Sequence, residues 1–203
     1  MFDLTGQQVL LRFAALLLIL ATHGFFVAWL AMLMGDKGPR YDGRLSLNPL
    51  RHFEPIGALS AILFRSPWLR PVAVDPKELR WPVVGIAVII LGSLALTVLV
   101  ALALWLLRPT ILTTFPDTSL VRSILLWIDT TATMSVWFAA INLIPIPPFT
   151  GGLVLTLIAP DLYRRITKRI IIPAIAVGIV LFAINAANNL SPAVRAVARY
   201  VLN

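Results

Sequence analysis

Two histidines, His23 and His52, are the whole imidazole supply of a 203-residue chain that has no cysteine. Thiol nucleophiles, disulfides, iron–sulfur clusters and Cys-ligated zinc are excluded before any motif is considered. Catalytic zinc usually takes three protein ligands and keeps one position open, so such a site here must draw on two imidazoles and a carboxylate. His23 lies in Thr22-His23-Gly24-Phe25-Phe26-Val27, within a stretch free of formal charge from Phe13 to Gly35. The carboxylate in the most comparable setting is Asp129, the one charge between Ser123 and Pro160, with Thr130, Thr131 and Thr133 close by. An ionised carboxylate in apolar surroundings costs at least a few kcal/mol unless it is paired, protonated or reached by water. Function and plain structure weigh equally for it.

Two further clusters are unusual for plain anchoring helices. One runs Gly43-Arg44-Leu45-Ser46-Leu47-Asn48-Pro49-Leu50-Arg51-His52-Phe53-Glu54-Pro55-Ile56-Gly57 and continues to Arg70-Pro71-Val72-Ala73-Val74-Asp75-Pro76. The other is Asn142-Leu143-Ile144-Pro145-Ile146-Pro147-Pro148-Phe149-Thr150-Gly151-Gly152, where three prolines and two glycines impose an irregular backbone. Irregular backbone at membrane depth is tolerated only against protein or a cavity. Asn142, Pro145, Pro147, Pro148, Gly151 and Gly152, with His52 and Asp129, are therefore the candidate binding positions. The proline–glycine loop either survives as architecture or clamps an extended segment by strand-like hydrogen bonds. Arg44 and Arg51 are expected to meet anionic lipid.

The elements that must position these residues are set by composition. Hydrophobic residues make up 59% of the chain and charged ones 13%, with a mean hydropathy of +0.90. That balance belongs to a membrane protein. The net charge of +8 sits between long apolar runs rather than in a groove with interleaved aromatics, which argues against nucleic acid as a partner. Phe13–Gly35, Trp81–Leu107, the segment from Ser123 to the break at Pro145, and residues 170–187 predict about four transmembrane helices. Met1 to Arg12 is expected as a retained, interfacial N-terminus rather than a signal sequence. Pro55–Phe64 is about half the spanning length and predicts a short re-entrant or interfacial segment. Residues 191–203 predict an amphipathic surface helix. The six tryptophans are expected mostly at interfaces. Loop 36–80 carries eight Lys and Arg and loop 161–169 carries four, so both are expected in the cytoplasm with both termini opposite. The fold class expected is an all-α membrane protein forming a single domain over residues 1–203.

In order and spacing the three clusters resemble the short bacterial branch of the site-2 proteases, intramembrane zinc metalloproteases, over residues 15–165. The resemblance implies a His-Glu-x-x-His helix holding zinc, with the Glu as general base, and a third ligand from the Asp of Asn-x-x-Pro-x-x-x-x-Asp-Gly. In this chain the first histidine matches His23, while the base position is Gly24, the second histidine position is Val27 and the aspartate position is Thr150. The distance from Gly35-Asp36 back to His23 agrees with the family spacing. The family's Gly-Pro-x-x-Asn reads Gly92-Ser93-Leu94-Ala95-Leu96. His52 resembles a residue that active relatives also carry in this loop without using it as a ligand.

The expectation is a vestigial site at His23, Gly24, Val27 and Thr150 that is without zinc, has no catalytic residues, and belongs to a bacterial inner-membrane binding or scaffolding subunit. Its partners would be membrane lipids and another protein's transmembrane helix, packed against small residues such as Gly85, Gly92, Ser93, Ala95 or Gly178. His23 would then be a neutral imidazole hydrogen-bonded inside the bundle, to a hydroxyl of the fourth long segment. Two other readings stay open. One is an active metalloprotease built on His23, His52 and Asp129, and the other is a transporter or proton-handling protein around Asp129 and His23.

Overall fold

A computed structural model describes residues 5–65 and 67–168. The expected last span at 170–187 and the tail at 191–203 lie outside the described residues, as does Gly178. Among the described residues eight α-helices follow one another: α1 Gly6–Met34, α2 Gly38–Tyr41, α3 Pro55–Phe64, α4 Pro82–Leu106, α5 Arg108–Thr114, α6 Ser119–Asn142, α7 Leu155–Ile158 and α8 Pro160–Lys168. Three of the described stretches are long and apolar enough to cross a membrane: Gly6–Met34, Pro82–Thr114 and Ser119–Asn142. The protein is thus an all-helical, multi-pass membrane protein with one shorter apolar helix, α3.

Local signals explain where the spans start and stop. Thr5 accepts from the Gln8 N–H at 3.3 Å and Thr118 from the Val121 N–H at 3.2 Å, each capping a helix N-terminus. Pro82 opens α4, where its missing N–H costs nothing. Gly35 closes α1 at φ +122°, a conformation that strains any residue with a Cβ. α6 ends at Asn142, ahead of the expected break at Pro145. α1 starts seven residues before Phe13, so Arg12 is inside the helix rather than in an interfacial leader. Its charge is accommodated because the guanidinium donates to the carbonyls of Ile62 and Leu63 at the end of α3.

α1, α4 and α6 pack on one another around Leu16, Ile19, Leu20, Val27, Ile86, Ile89, Met134 and Phe138. α3 lies along α1. His52, just before it, rests on Gly24, and its far end reaches Arg12, twelve residues back along α1 or about 18 Å. The short helix therefore packs along α1 within the bundle. Arg65 reverses the chain at φ 59°, and residues 67–75 return beside α3 with Trp68, Leu69, Val72 and Val74 buried. The return is tight enough that a Cβ on Gly57 would come within 2.3 Å of the Trp68 carbonyl oxygen. Asp36 pins the loop by accepting from Gly38 N–H at 2.8 Å and Asp75 N–H at 2.9 Å.

Three expectations need correction here. Arg65 was grouped with the basic loop beside Lys37, but the re-entrant turn carries it to the other end of the bundle, near Arg12. Trp68 is no interface marker: it is fully buried against Ile141 and Phe149, because the re-entrant return folds it inward. A Cβ on Gly85 would lie 3.0 Å from Leu79 and one on Gly92 3.0 Å from Leu30, both of the same chain, and Ser93 is buried. Their close approach is used within the bundle, which leaves Ala95 exposed.

Candidate functional site

Residues from three distant parts of the chain meet at His23, which is 1% exposed at the centre of the bundle. His23 Nδ1 lies 3.1 Å from Thr97 Oγ1, and the Thr97 hydroxyl donates to the Ser93 carbonyl at 2.7 Å. A hydroxyl has one proton to give, so Nδ1–H of the neutral ring donates to Thr97. Nε2 then accepts from the Thr150 hydroxyl at 2.8 Å, the nearer of the two acceptors that hydroxyl meets, Asn142 Oδ1 being 3.3 Å away. Phe138 closes the edge of the ring at a centroid distance of 4.7 Å. The partner hydroxyls belong to α4 and to the proline–glycine loop. Sequence reasoning had passed over Thr97. Its signal was present, since Ser93 and Thr97 form a polar pair one helical turn apart in an otherwise apolar span.

Asn142, at the end of α6, holds Thr150 in place. Its Oδ1 accepts from the Thr150 N–H at 3.2 Å, while its Nδ2 donates to the Phe138 carbonyl at 3.0 Å and faces the Pro67 carbonyl at 3.5 Å. The loop between them satisfies itself: Ile146 N–H reaches the Ile144 carbonyl at 2.8 Å, Phe149 N–H that of Ile146 at 3.0 Å and Gly152 N–H that of Phe149 at 2.9 Å. A Cβ on Gly151 would meet the Leu143 carbonyl oxygen at 2.5 Å, and one on Gly152 the Pro147 nitrogen at 2.6 Å. Those three donors are spent inside the turn that Pro145, Pro147, Pro148, Gly151 and Gly152 shape.

His52 fills the space beside Gly24. A Cβ at Gly24 would lie 2.2 Å from His52 Nδ1, so any side chain there displaces the ring. His52 is wholly buried and donates from Nε2 to the Ser46 carbonyl at 2.9 Å, which leaves Nδ1 without a hydrogen-bond partner. Burial holds its pKa below the ordinary imidazole value. The Arg44 charge adds to this, against the raising effect of the Ser46 carbonyl. The cleft at this centre, lined by His23, Val27, Arg70, Phe149, Thr150 and Tyr163, has about 20 Å³ of free volume. That is room for water, not for a peptide.

Asp129 is elsewhere. It pairs with Arg108 at 3.1 Å and lines a separate cavity, so the combination of His23, His52 and Asp129 does not assemble. Arg108 sits at the start of α5, just past the second apolar run, and gives the half-exposed carboxylate within α6 a cationic partner. Among the described residues no three His, Asp or Glu side chains converge on one point. Both nitrogens of His23 are committed to hydroxyls, and Val27 offers no donor. The residues present do not fit a zinc site of three protein ligands.

The fold and this centre define a multi-pass helical membrane protein organised around a buried histidine, a re-entrant helix and a proline–glycine turn. Over 154 residues the chain is 27% identical to the "Putative zinc metalloprotease YwhC" of Bacillus subtilis (strain 168), a match covering 72% of this chain and 68% of that protein. The relation is a distant homology, in agreement with the resemblance seen in the clusters. No family model matches the chain. No solved structure matches it either.

Proposed function

We propose that this protein is a proteolytically inactive relative of intramembrane metalloproteases that serves as a binding or scaffolding subunit in a bacterial inner membrane. The observation that supports this most directly is the closed contact of His23 with Thr97 and Thr150, at 3.1 and 2.8 Å. A ring whose two nitrogens are held by hydroxyls is a packed structural element, and replacing a ligating carboxylate by threonine turns a metal site into a hydrogen bond. With the cleft closed, recognition takes place on the outer helix faces, where a partner's transmembrane helix packs by shape and van der Waals contact. The basic loops at the Met34 end of α1 lie in the cytoplasm and α1 begins on the opposite side.

Metal analysis of the purified protein tests the reading. Zinc well below stoichiometric, and no different in His23→Ala, is the expected result. The similarity to a protein named as a zinc metalloprotease favours a second reading, an active enzyme with unusual ligands. One zinc per chain, lost in His23→Ala, would establish that reading and end the first.

A further inference from the structure

A cavity of about 300 Å³ opens between the first turns of α1, the end of α3 and the middle of α6. It lies eleven residues from His23 along α1, about 16 Å, and is separate from the cleft there. Its lining is polar for a site beside three apolar spans: Thr5, Gln8, Arg12, Arg65, Asp129 and Thr130 all contribute. Arg12 is 7% exposed and spends one guanidinium nitrogen on the α3 carbonyls. Its other donors, and all those of Arg65, have no protein partner among the described residues. Asp129, the carboxylate in the lining, is already paired with Arg108.

Two guanidiniums therefore share a cavity whose one acidic side chain is neutralised. Like charges gathered beside the hydrocarbon are costly unless an anion joins them. A planar guanidinium fork matches the oxygens of a phosphate, and two forks facing one cavity match it better than any neutral headgroup. Thr5, Gln7 and Gln8 of the lining belong to the capped start of α1. We propose that Arg12 and Arg65 form a binding site for a phosphate anion, supplied as the headgroup of an anionic phospholipid in the leaflet that meets the start of α1 or as free phosphate. A phosphate here also explains how Arg65 is tolerated at the tip of a re-entrant helix, far from the other basic residues of its loop.

The full-length protein, purified in mild detergent and stripped of lipid, would be offered phosphatidylglycerol, phosphatidylcholine or inorganic phosphate, with bound probe read by native mass spectrometry. Phosphatidylglycerol is expected to bind at one per chain, ahead of phosphatidylcholine, and Arg65→Gln is expected to weaken it about tenfold, the effect of losing charge-assisted hydrogen bonds. Lys77→Gln removes the same charge at the other end of the bundle and should leave binding unchanged. Arg12→Gln also frees the end of α3, so Arg65→Gln carries the test if that variant misfolds. Inorganic phosphate competing fully with the lipid assigns the site to soluble phosphate, whereas failure to compete assigns it to the headgroup. Equal binding by wild type and Arg65→Gln overturns the proposal.

Discussion

His23, Gly24, His52 and Thr150 are interlocked, and the interlock decides what substitution can do. Gly24→Glu, Val27→His and Thr150→Asp together rebuild the donor set that the resemblance implies, yet the glutamate Cβ would enter the space of the His52 ring at 2.2 Å. The triple variant is therefore expected to bind zinc poorly. Adding His52→Ala, which empties that space, should give measurable zinc by titration, because chelation is cooperative once all donors are present. Zinc binding by the triple variant alone would show that His52 moves aside freely. The same ring predicts a pH effect. Burial lowers the folded-state pKa of His52 below its unfolded value, so the stability it contributes is complete above about pH 6.5 and is lost as pH falls from there through the folded pKa. Thermal unfolding in detergent should show a melting temperature that drops on acidification, with a smaller drop in His52→Gln, which keeps an amide donor for Ser46. An unchanged pH profile in that variant would remove His52 as the source.

Among the elements, the re-entrant pair of α3 and residues 67–75 does most to shape the site. It delivers Trp68 to Phe149, at 6.1 Å between ring centroids, and brings the Pro67 carbonyl within reach of Asn142. Arg12 closes the end of α3 by donating to two carbonyls that a re-entrant helix cannot give to water. The pair depends on Gly57, because a Cβ there would come within 2.3 Å of backbone, which cannot rotate away as a side chain can. Gly57→Ala is expected to destabilise the protein by about 1–3 kcal/mol, the usual cost of overpacking. Gly6→Ala is the matched control, since no heavy atom lies within 4 Å of a Cβ at that position. Equal thermal stability of the two variants would mean that the return segment is loosely held.

At the scale of the whole molecule, the outer faces of α4 and α6 present exposed Val84, Leu91, Leu99, Val136 and Trp137. In lipid such exposure is ordinary and marks no partner by itself, so helix association must rest on close packing. Of the small residues expected to serve a partner, Gly85 and Ser93 are buried in the chain's own bundle, Gly92 is half-buried beside Leu30, and Ala95 is open. On the scaffold reading, Ala95→Phe should release a partner that co-purifies in mild detergent while the protein still inserts and folds. Gly92→Phe should instead damage the protein itself by colliding with Leu30. A wild-type protein that emerges as a lone monomer would reject the scaffold reading.

Charge-free length and proline placement in the primary sequence were enough to locate α1, α4 and the end of α6, because span length and helix breaking are properties of a local stretch of chain. Gly24, Val27 and Thr150 were singled out by the resemblance, from their places relative to His23 and Asn142 in the sequence. What surrounds those positions was not legible. Thr97 meets His23 across 74 residues and Thr150 meets it across 127, and no local pattern states such a pairing. His52 read as a loop residue of uncertain purpose until the re-entrant turn laid its ring on Gly24. Arg12 and Arg65 come from different charge groups in the sequence, and only the reversal after α3 puts both in one cavity. The physical reason is the same each time: a single segment sets its own helicity and hydrophobicity, whereas contacts between segments depend on how far each one dips, turns and packs against the others.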